Sequence, residues 1–172
     1  MKSQTIVAAC LLLLAVFRVE SADAQGKPDV PALEKSHQTM AGSMMDSTMG
    51  RPLKAELKGE NEVPSGDPDG TGEADITLNL GQAKVCYELS VENIAPATAA
   101  HIHQAPAGEN GSVVVPLDAP TDGSSKGCVE EVSKDVIKGI LKNPTDYYVN
   151  VHNSEYPGGA VRGQLSVAAM GK

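Results

Sequence analysis

The stretch Ala74–Val91, ADITLNLGQAKVCYELSV, contains two runs in which apolar and polar residues alternate. In the first run Ile76 and Leu78 fall on one side of an extended chain and Thr77 on the other. The second run repeats the pattern, with apolar residues at the odd positions and Cys86 among the even ones. Because successive side chains of a strand point to opposite faces, the stretch predicts two β-strands, each with one buried face.

A similar sequence pattern continues on both sides of these two runs, from about residue 52 to residue 168. Short apolar runs are separated by Gly, Pro, Asn and Asp, a pattern typical of an antiparallel sandwich or barrel. The sequence therefore predicts one all-β domain. Its predicted strands are Lys54–Gly59, Ala74–Leu80, Lys84–Val91, Ala99–Gln104, Ser112–Leu117, Tyr147–His152 and Ala160–Val167.

One segment, Ser133–Pro144, departs from the strand pattern. Its apolar residues recur at helical spacing, Ser133 can serve as the N-cap, and Asn143-Pro144 provides a stop. We expect a short helix here, lying over one edge of the sheet.

Residues 1–24 have the pattern of a secretory signal peptide. A lysine near the start precedes an apolar run, Thr5–Phe17, and Ala22-Asp23-Ala24 forms a small-x-small cleavage site. The run is shorter than the roughly 20 residues that a membrane-spanning helix needs, and no other stretch could span a membrane. The protein is thus predicted to be secreted or periplasmic. A lipoprotein signal ending at Cys10 ranks lower, because it would precede most of the apolar run.

Residues 25–51 predict a disordered tether, since they are short of β-branched and aromatic residues and show no sustained period. The tether contains four of the six methionines. Two interpretations stay open: a linker that contains methionine by chance, or a soft, mobile site for Cu(I). The residues of that second interpretation are His37, Met40, Met44, Met45 and Met49.

Cysteine usage and charge limit the remaining possibilities. Cleavage of the signal would leave Cys86 and Cys128, which we expect to pair in an oxidising compartment; two buried free thiols are the alternative. The formal net charge is −8, so nucleic acid and anionic membranes are poor partners and cations, metals included, are better ones.

The histidines of the β domain suggest a metal site. His101 and His103, in Ala100–Gly111 (AHIHQAPAGENG), are two residues apart and so share one strand face while Ile102 points to the core. His152 ends another predicted strand, and neutral imidazole suits Cu(II), Zn and Ni. The alternative is that all three are polar residues on a solvated face, because a His-x-His pair is a weak signal by itself.

Arg162 and Glu62 are further candidates. Arg162 could orient an anion near the histidines, or it could brace a carboxylate such as Glu62 in a bidentate structural pair. The sequence contains no nucleophile elbow, phosphate loop or paired-carboxylate motif.

Three motifs resemble the CHRD family, named for repeats first described in chordin: GENEVP (Gly59–Pro64), AHIHQAPAGENGSVVVPL (Ala100–Leu117) and YYVNVHNSEYPGGAVRGQLS (Tyr147–Ser166). The resemblance covers residues 53–167 and is to the single-domain exported bacterial form. Chordin's surrounding protein binds growth factors, but kinship of fold does not transfer that role.

A remoter resemblance is to Cu,Zn superoxide dismutase, a Greek-key β-barrel. By that resemblance His101 and His103 would be two copper ligands, His152 a third, and Arg162 the guide for an anionic substrate. The chain lacks a bridging histidine, a zinc loop and a fourth copper histidine in the domain, so the resemblance implies a three-histidine copper site and not a full dismutase centre.

Three functions are consistent with these features. The first is an exported copper-binding protein for metal capture or delivery, non-enzymatic, with the tether holding the reduced ion. The second is an extracellular or envelope module that binds a protein partner, in which the histidines are structural. The third is a dismutase-like redox enzyme, ranked last because the ligand set is incomplete and catalysis needs an open coordination position.

Overall fold

The structure is a computed structural model that describes residues 50–168. This part of the chain forms nine β-strands and one α-helix. The strands are β1 Arg51–Lys58, β2 Thr71–Asn79, β3 Lys84–Glu92, β4 Ala97–Gln104, β5 Ser112–Leu117, β6 Ser124–Val129, β7 Tyr147–Asn153, β8 Val161–Gln164 and β9 Ser166–Val167. The helix is α1, Lys134–Lys142.

The strands form one sheet with the order β5-β4-β7-β8-β1-β2-β3-β6, and β9 pairs with β1. Neighbouring strands are antiparallel, and the connections from β3 to β4 and from β6 to β7 cross the sheet in the manner of a Greek key. Asp118 joins the two ends: its carboxylate accepts from the Tyr87 hydroxyl at 2.7 Å, and its carbonyl accepts from the Ser125 hydroxyl at 2.7 Å. The sheet is therefore a nearly closed barrel, which confirms the predicted fold class.

The core lies inside this barrel and consists of the inward faces of the strands. Alternation decides which residues enter it: Ile76 and Leu89 are 0% exposed, whereas Thr77 and Glu88, next to them in sequence, point outward and are exposed. The faces predicted for β2 and β3 are confirmed. Ile102 and Val149, on the strands that carry the histidines, are also buried.

A disulfide bond joins Cys86 and Cys128, as predicted. The two cysteines lie directly opposite each other on β3 and β6. The strand β6 was not predicted, because SSKGCV has no alternating apolar residues and none of its side chains is fully buried. Pairing with β3 rather than burial of an apolar face defines this edge strand.

Two further boundaries differ from the sequence prediction. The single strand predicted at Ala160–Val167 is interrupted at Leu165, which is 0% exposed, so that β8 pairs with β7 and β1 while β9 pairs with β1 only. The β domain begins slightly earlier than expected, since β1 includes Arg51, the last residue of the predicted tether. The rest of the tether and the predicted signal peptide lie outside the described residues.

The helix α1 occupies the predicted segment and begins after Ser133, although the Ser133 side chain makes no capping hydrogen bond. Ile137 and Ile140 are buried in the main core, and α1 packs beside β2, an internal strand. The predicted short helix is confirmed, and its apolar side chains are buried in the core. Within residues 50–168, no helix has the length and apolar character to cross a membrane.

Candidate metal centre

The three predicted histidines lie together on the outer face of the barrel, where β4 pairs with β7. His101 and His103 point outward from β4, and Ile102 between them is 0% exposed in the core. In the β4–β7 ladder His101 lies opposite Asn150, and His152 follows two residues later on the same face of β7. Strand pairing thus brings His152 close to two residues that precede it by about fifty positions.

The ring nitrogens converge. One nitrogen from each of the three rings can be chosen so that all lie within 4.8 Å of one another. The closest pair is His101 Nδ1 and His152 Nε2, 3.2 Å apart. In a tetrahedral site with metal–nitrogen bonds of about 2.0–2.1 Å, ligand nitrogens lie about 3.4 Å apart. The His101–His152 pair already has this spacing, whereas the widest separation, up to 4.8 Å, would have to shorten on coordination.

Backbone carbonyls orient two of the rings. His103 Nδ1 lies 2.9 Å from the Gly111 carbonyl oxygen, and His152 Nδ1 lies 3.0 Å from that of Pro157. A carbonyl oxygen only accepts, so each Nδ1 donates its proton, which leaves the lone pair on Nε2 when the ring is neutral. This is the arrangement in which metal-binding histidines are held in proteins. His103 Nε2 is buried and has no hydrogen-bond partner within residues 50–168.

Burial and the neighbouring imidazoles favour the neutral, ligating form of His101 and His152. Burial lowers the pKa of His101 below its usual 6.5, and positive charge on His152 or His103 would lower it further. The pKa of His152 is also lowered, mainly by burial and in addition by His103, although the Pro157 carbonyl opposes the shift. His101 and His152 remain half-buried, which leaves the cluster accessible to an ion from solvent.

A stack of three side chains supports His103. Its ring lies parallel to that of Tyr148, with 7° between the planes and 4.8 Å between the centroids. The Arg162 guanidinium carbon lies 3.4 Å from the centroid of the Tyr148 ring, a cation–π contact. Loop residues also fix Arg162, which donates to the Pro106 carbonyl at 3.0 Å and to the Asn110 side chain at 3.4 Å.

These contacts test the two roles predicted for Arg162, namely orienting an anion and pairing with Glu62. Its side chain is 1% exposed, so it does not present a charge to a diffusing anion. Within residues 50–168, Arg162 and Glu62 do not form an ion pair. Their charges attract each other only over a longer distance. The expected bidentate pair is therefore wrong: the guanidinium instead binds Tyr148, loop groups and the Gln164 side chain.

Glu62 is buried beside the same face, 5% exposed. Burial raises the pKa of its carboxyl to about 7, against the opposing effects of the Arg162 charge and of hydrogen bonds from Asn150 and Val63. The carboxylate packs against Gly159, whose φ of 144° and lack of a side chain make room for it. Its Oε1 atom has no hydrogen-bond partner within the part of the chain that the structure describes.

The structure thus brings five predicted site residues to one face, namely His101, His103, His152, Arg162 and Glu62. The predicted tether ligands His37, Met40, Met44, Met45 and Met49 lie outside the described residues. Sequence reasoning assigned no role to Asn150 or Tyr148, although their position on the face of His152 was a signal. It also missed the carbonyls of Gly111 and Pro157, which loop folding alone brings to the rings.

The fold and the site together define a class of protein: an antiparallel β-barrel domain with three imidazoles converging on its outer face. The CHRD domain family matches residues 53–165, more than half of the 172 residues, and the chain belongs to that family. A comparison with curated proteins gave no match.

Proposed function

We propose that this protein is an exported CHRD-domain protein that binds one copper-type transition-metal ion through His101, His103 and His152. The observation that carries the proposal is the orientation of the rings. His103 and His152 each direct Nδ1 to a backbone carbonyl, which leaves the lone pair on Nε2, and one nitrogen from each of the three rings lies within 4.8 Å of the others. A backbone carbonyl is a common partner for the second ring nitrogen of a ligating histidine.

The burial of His103 argues against a purely structural use of the cluster. A buried polar atom without a hydrogen bond costs about 1–3 kcal/mol, and His103 Nε2 is such an atom among the described residues. Structural histidines would satisfy both ring nitrogens with backbone groups or with Glu62, and no hydrogen bond joins Glu62 to any of the three rings in residues 50–168. A bound ion would remove this cost.

The donor set favours a borderline metal. Three neutral imidazoles suit Cu(II), Zn(II) and Ni(II), and the two cysteines of the domain are held in the disulfide. Because two of the rings are half-buried and not enclosed, the ion can exchange with solvent, which suits capture or delivery. In this proposal the methionine-rich tether, residues 25–51, handles the reduced ion before or after the barrel does.

Calorimetric titration of the purified exported protein with Cu(II) and with Zn(II) tests the proposal. We expect one ion per barrel, with binding lost or weakened at least about tenfold in His103→Ala and in His152→Ala. Gln104→Ala, an exposed change next to His103 on β4, is the matched control and should bind as the wild type does.

A variant that replaces His37 by Ala and the four tether methionines by Leu separates the two regions. It should retain the barrel site for the divalent ions. Absence of binding by the wild type would contradict the proposal, and so would equal binding by the wild type and both histidine variants.

A further inference from the structure

We propose that the side-chain oxygen of Asn150 is the fourth ligand of this centre and that Glu62 holds it in position, which makes the barrel site selective for divalent ions over Cu(I). This inference rests on the proposed function and names the ion class that the same site accepts. It concerns two buried polar residues, neither of them a histidine.

Asn150 lies at the middle of the cluster. It faces His101 across the β4–β7 ladder and precedes His152 by two residues on the same face. Its side chain is 2% exposed, yet its position in the outward-facing row keeps it out of the apolar core. A buried carboxamide at this place needs partners for both of its ends.

The Glu62 carboxylate accounts for one end of the carboxamide. In its ionised form, which predominates above about pH 7, it accepts a hydrogen bond from the Asn150 side chain, and the only donor that the carboxamide has is its nitrogen. This bond fixes which way the carboxamide faces. Asn150 Oδ1 is then the atom directed at His152, 3.1 Å from its Nε2.

A neutral His152 ring carries one N–H proton, which can be donated to the Pro157 carbonyl or to Asn150 Oδ1 but not to both. With the proton on Nδ1, where the Pro157 carbonyl requires it, the lone pair of Nε2 faces the lone pairs of Oδ1. With the proton on Nε2, the lone pair of Nδ1 faces the Pro157 carbonyl oxygen instead. Each neutral tautomer therefore leaves one acceptor against another at 3.0–3.1 Å, and a cation bound by both Nε2 and Oδ1 removes the conflict.

The distances agree with shared coordination. Ligand atoms on one tetrahedral ion lie about 3.4 Å apart, and His152 Nε2 lies 3.1 Å from Asn150 Oδ1 and 3.2 Å from His101 Nδ1. Three imidazole nitrogens and one carboxamide oxygen form a harder donor set than Cu(I) prefers. We therefore expect the barrel to discriminate in favour of Zn(II) and Cu(II).

Zn(II) and Cu(I) affinities, measured by chelator competition in the tether-substituted variant, test the inference. Asn150→Ala should weaken Zn(II) binding about tenfold or more while Cu(I) binding changes by less than about threefold, because only the divalent ion uses the oxygen. Asn79→Ala is the matched control: it truncates a buried asparagine of β2 that accepts the Gln82 N–H, three strands away from β7. It should leave both affinities unchanged.

A charge-swapped double variant, Glu62→Gln with Asn150→Asp, keeps the shape of the pair and exchanges its donor and acceptor. It should restore Zn(II) binding to at least the wild-type value, and the visible spectrum of the Co(II)-loaded protein should return from that of Asn150→Ala toward that of the wild type. The single change Glu62→Ala removes the acceptor, releases the carboxamide and should weaken Zn(II) binding by about 10-fold.

The outcomes separate this inference from the proposed function. If the wild type binds Zn(II) but Asn150→Ala binds it equally well, or loses Zn(II) and Cu(I) equally, the fourth ligand is wrong and the three-histidine site stands. A double variant that stays as weak as Asn150→Ala also overturns the inference. If the wild type binds no metal at all, both proposals fail together.

Discussion

Glu62 is the residue at which the site conflicts most clearly with the stability of the fold. Its carboxyl is buried, one oxygen lacks a partner among the described residues, and burial raises its pKa from 4.5 to about 7. An acid whose pKa is higher in the folded state destabilises that state when it ionises. The destabilisation is fully present above about pH 7 and is relieved as the pH falls toward 4.5.

We predict that Glu62→Gln stabilises the metal-free protein at pH 8 and has little effect at pH 4.5. The shift from 4.5 to about 7 corresponds to a gain in the free energy of unfolding of up to about 3 kcal/mol at pH 8. Urea unfolding at the two pH values measures it. Glu60→Gln, at an exposed neighbour, is the control and should change little at either pH. An equal effect of Glu62→Gln at both values, or a loss of stability at pH 8, would show that burial does not strain this carboxyl.

The histidines could be predicted at the residue scale, whereas the roles of Asn150 and Glu62 could not. Spacing by two residues puts His101 and His103 on one strand face in any sheet. Asn150 and Glu62 matter because loops fold over the outer face of β7 and bury polar residues that alternation assigns to solvent. Which loop carbonyl or carboxylate meets a given side chain depends on tertiary structure and leaves no local pattern.

At the scale of elements, β7 and β6 deviate from simple alternation in opposite ways. Six of the seven residues of β7 are buried, because the core covers one face and loops cover the other. No residue of β6 is fully buried, and it is held by its ladder with β3 and by the Cys86–Cys128 bond. Sequence pattern finds strands that bury one apolar face, so β7 was predicted and β6 was not.

The disulfide should stabilise β6 and leave the metal centre unaffected. Replacing both Cys86 and Cys128 by Ala should lower the free energy of unfolding by about 4 kcal/mol, the chain-entropy value for a cross-link over 42 residues. Hydrogen exchange should accelerate most in β6, and Zn(II) affinity should persist, because neither β4 nor β7 pairs with β3 or β6: β5 lies between β6 and β4 where the barrel closes, and β8, β1 and β2 lie between β7 and β3.

Ser90→Ala with Ser124→Ala is the matched control, since these serines oppose each other on the same two strands without a cross-link. It should cost far less stability than the cysteine pair. Loss of Zn(II) binding in the cysteine variant, with the fold retained, would contradict this prediction and would mean that the metal centre depends on β6 through β5.

At the scale of the whole molecule, the class of fold could be predicted but the strand order could not. Repeated short alternating runs already indicate an antiparallel barrel or sandwich. Three pairings that close the sheet join strands far apart in sequence, namely β3 with β6, β4 with β7 and β1 with β8. Such long-range choices depend on how the faces pack together. The resemblance to Cu,Zn superoxide dismutase suggested that the later histidine would approach the pair, and the β4–β7 ladder supplies the physical reason.

A crystal structure of the protein grown with Zn(II), with anomalous scattering recorded at the zinc edge, tests the central claim most directly. We predict one strong anomalous peak on the outer face of the barrel, within about 2.0–2.1 Å of a nitrogen from each of His101, His103 and His152. A structure with no peak there, in which the three rings keep separate hydrogen bonds while zinc binds elsewhere or not at all, would contradict the account.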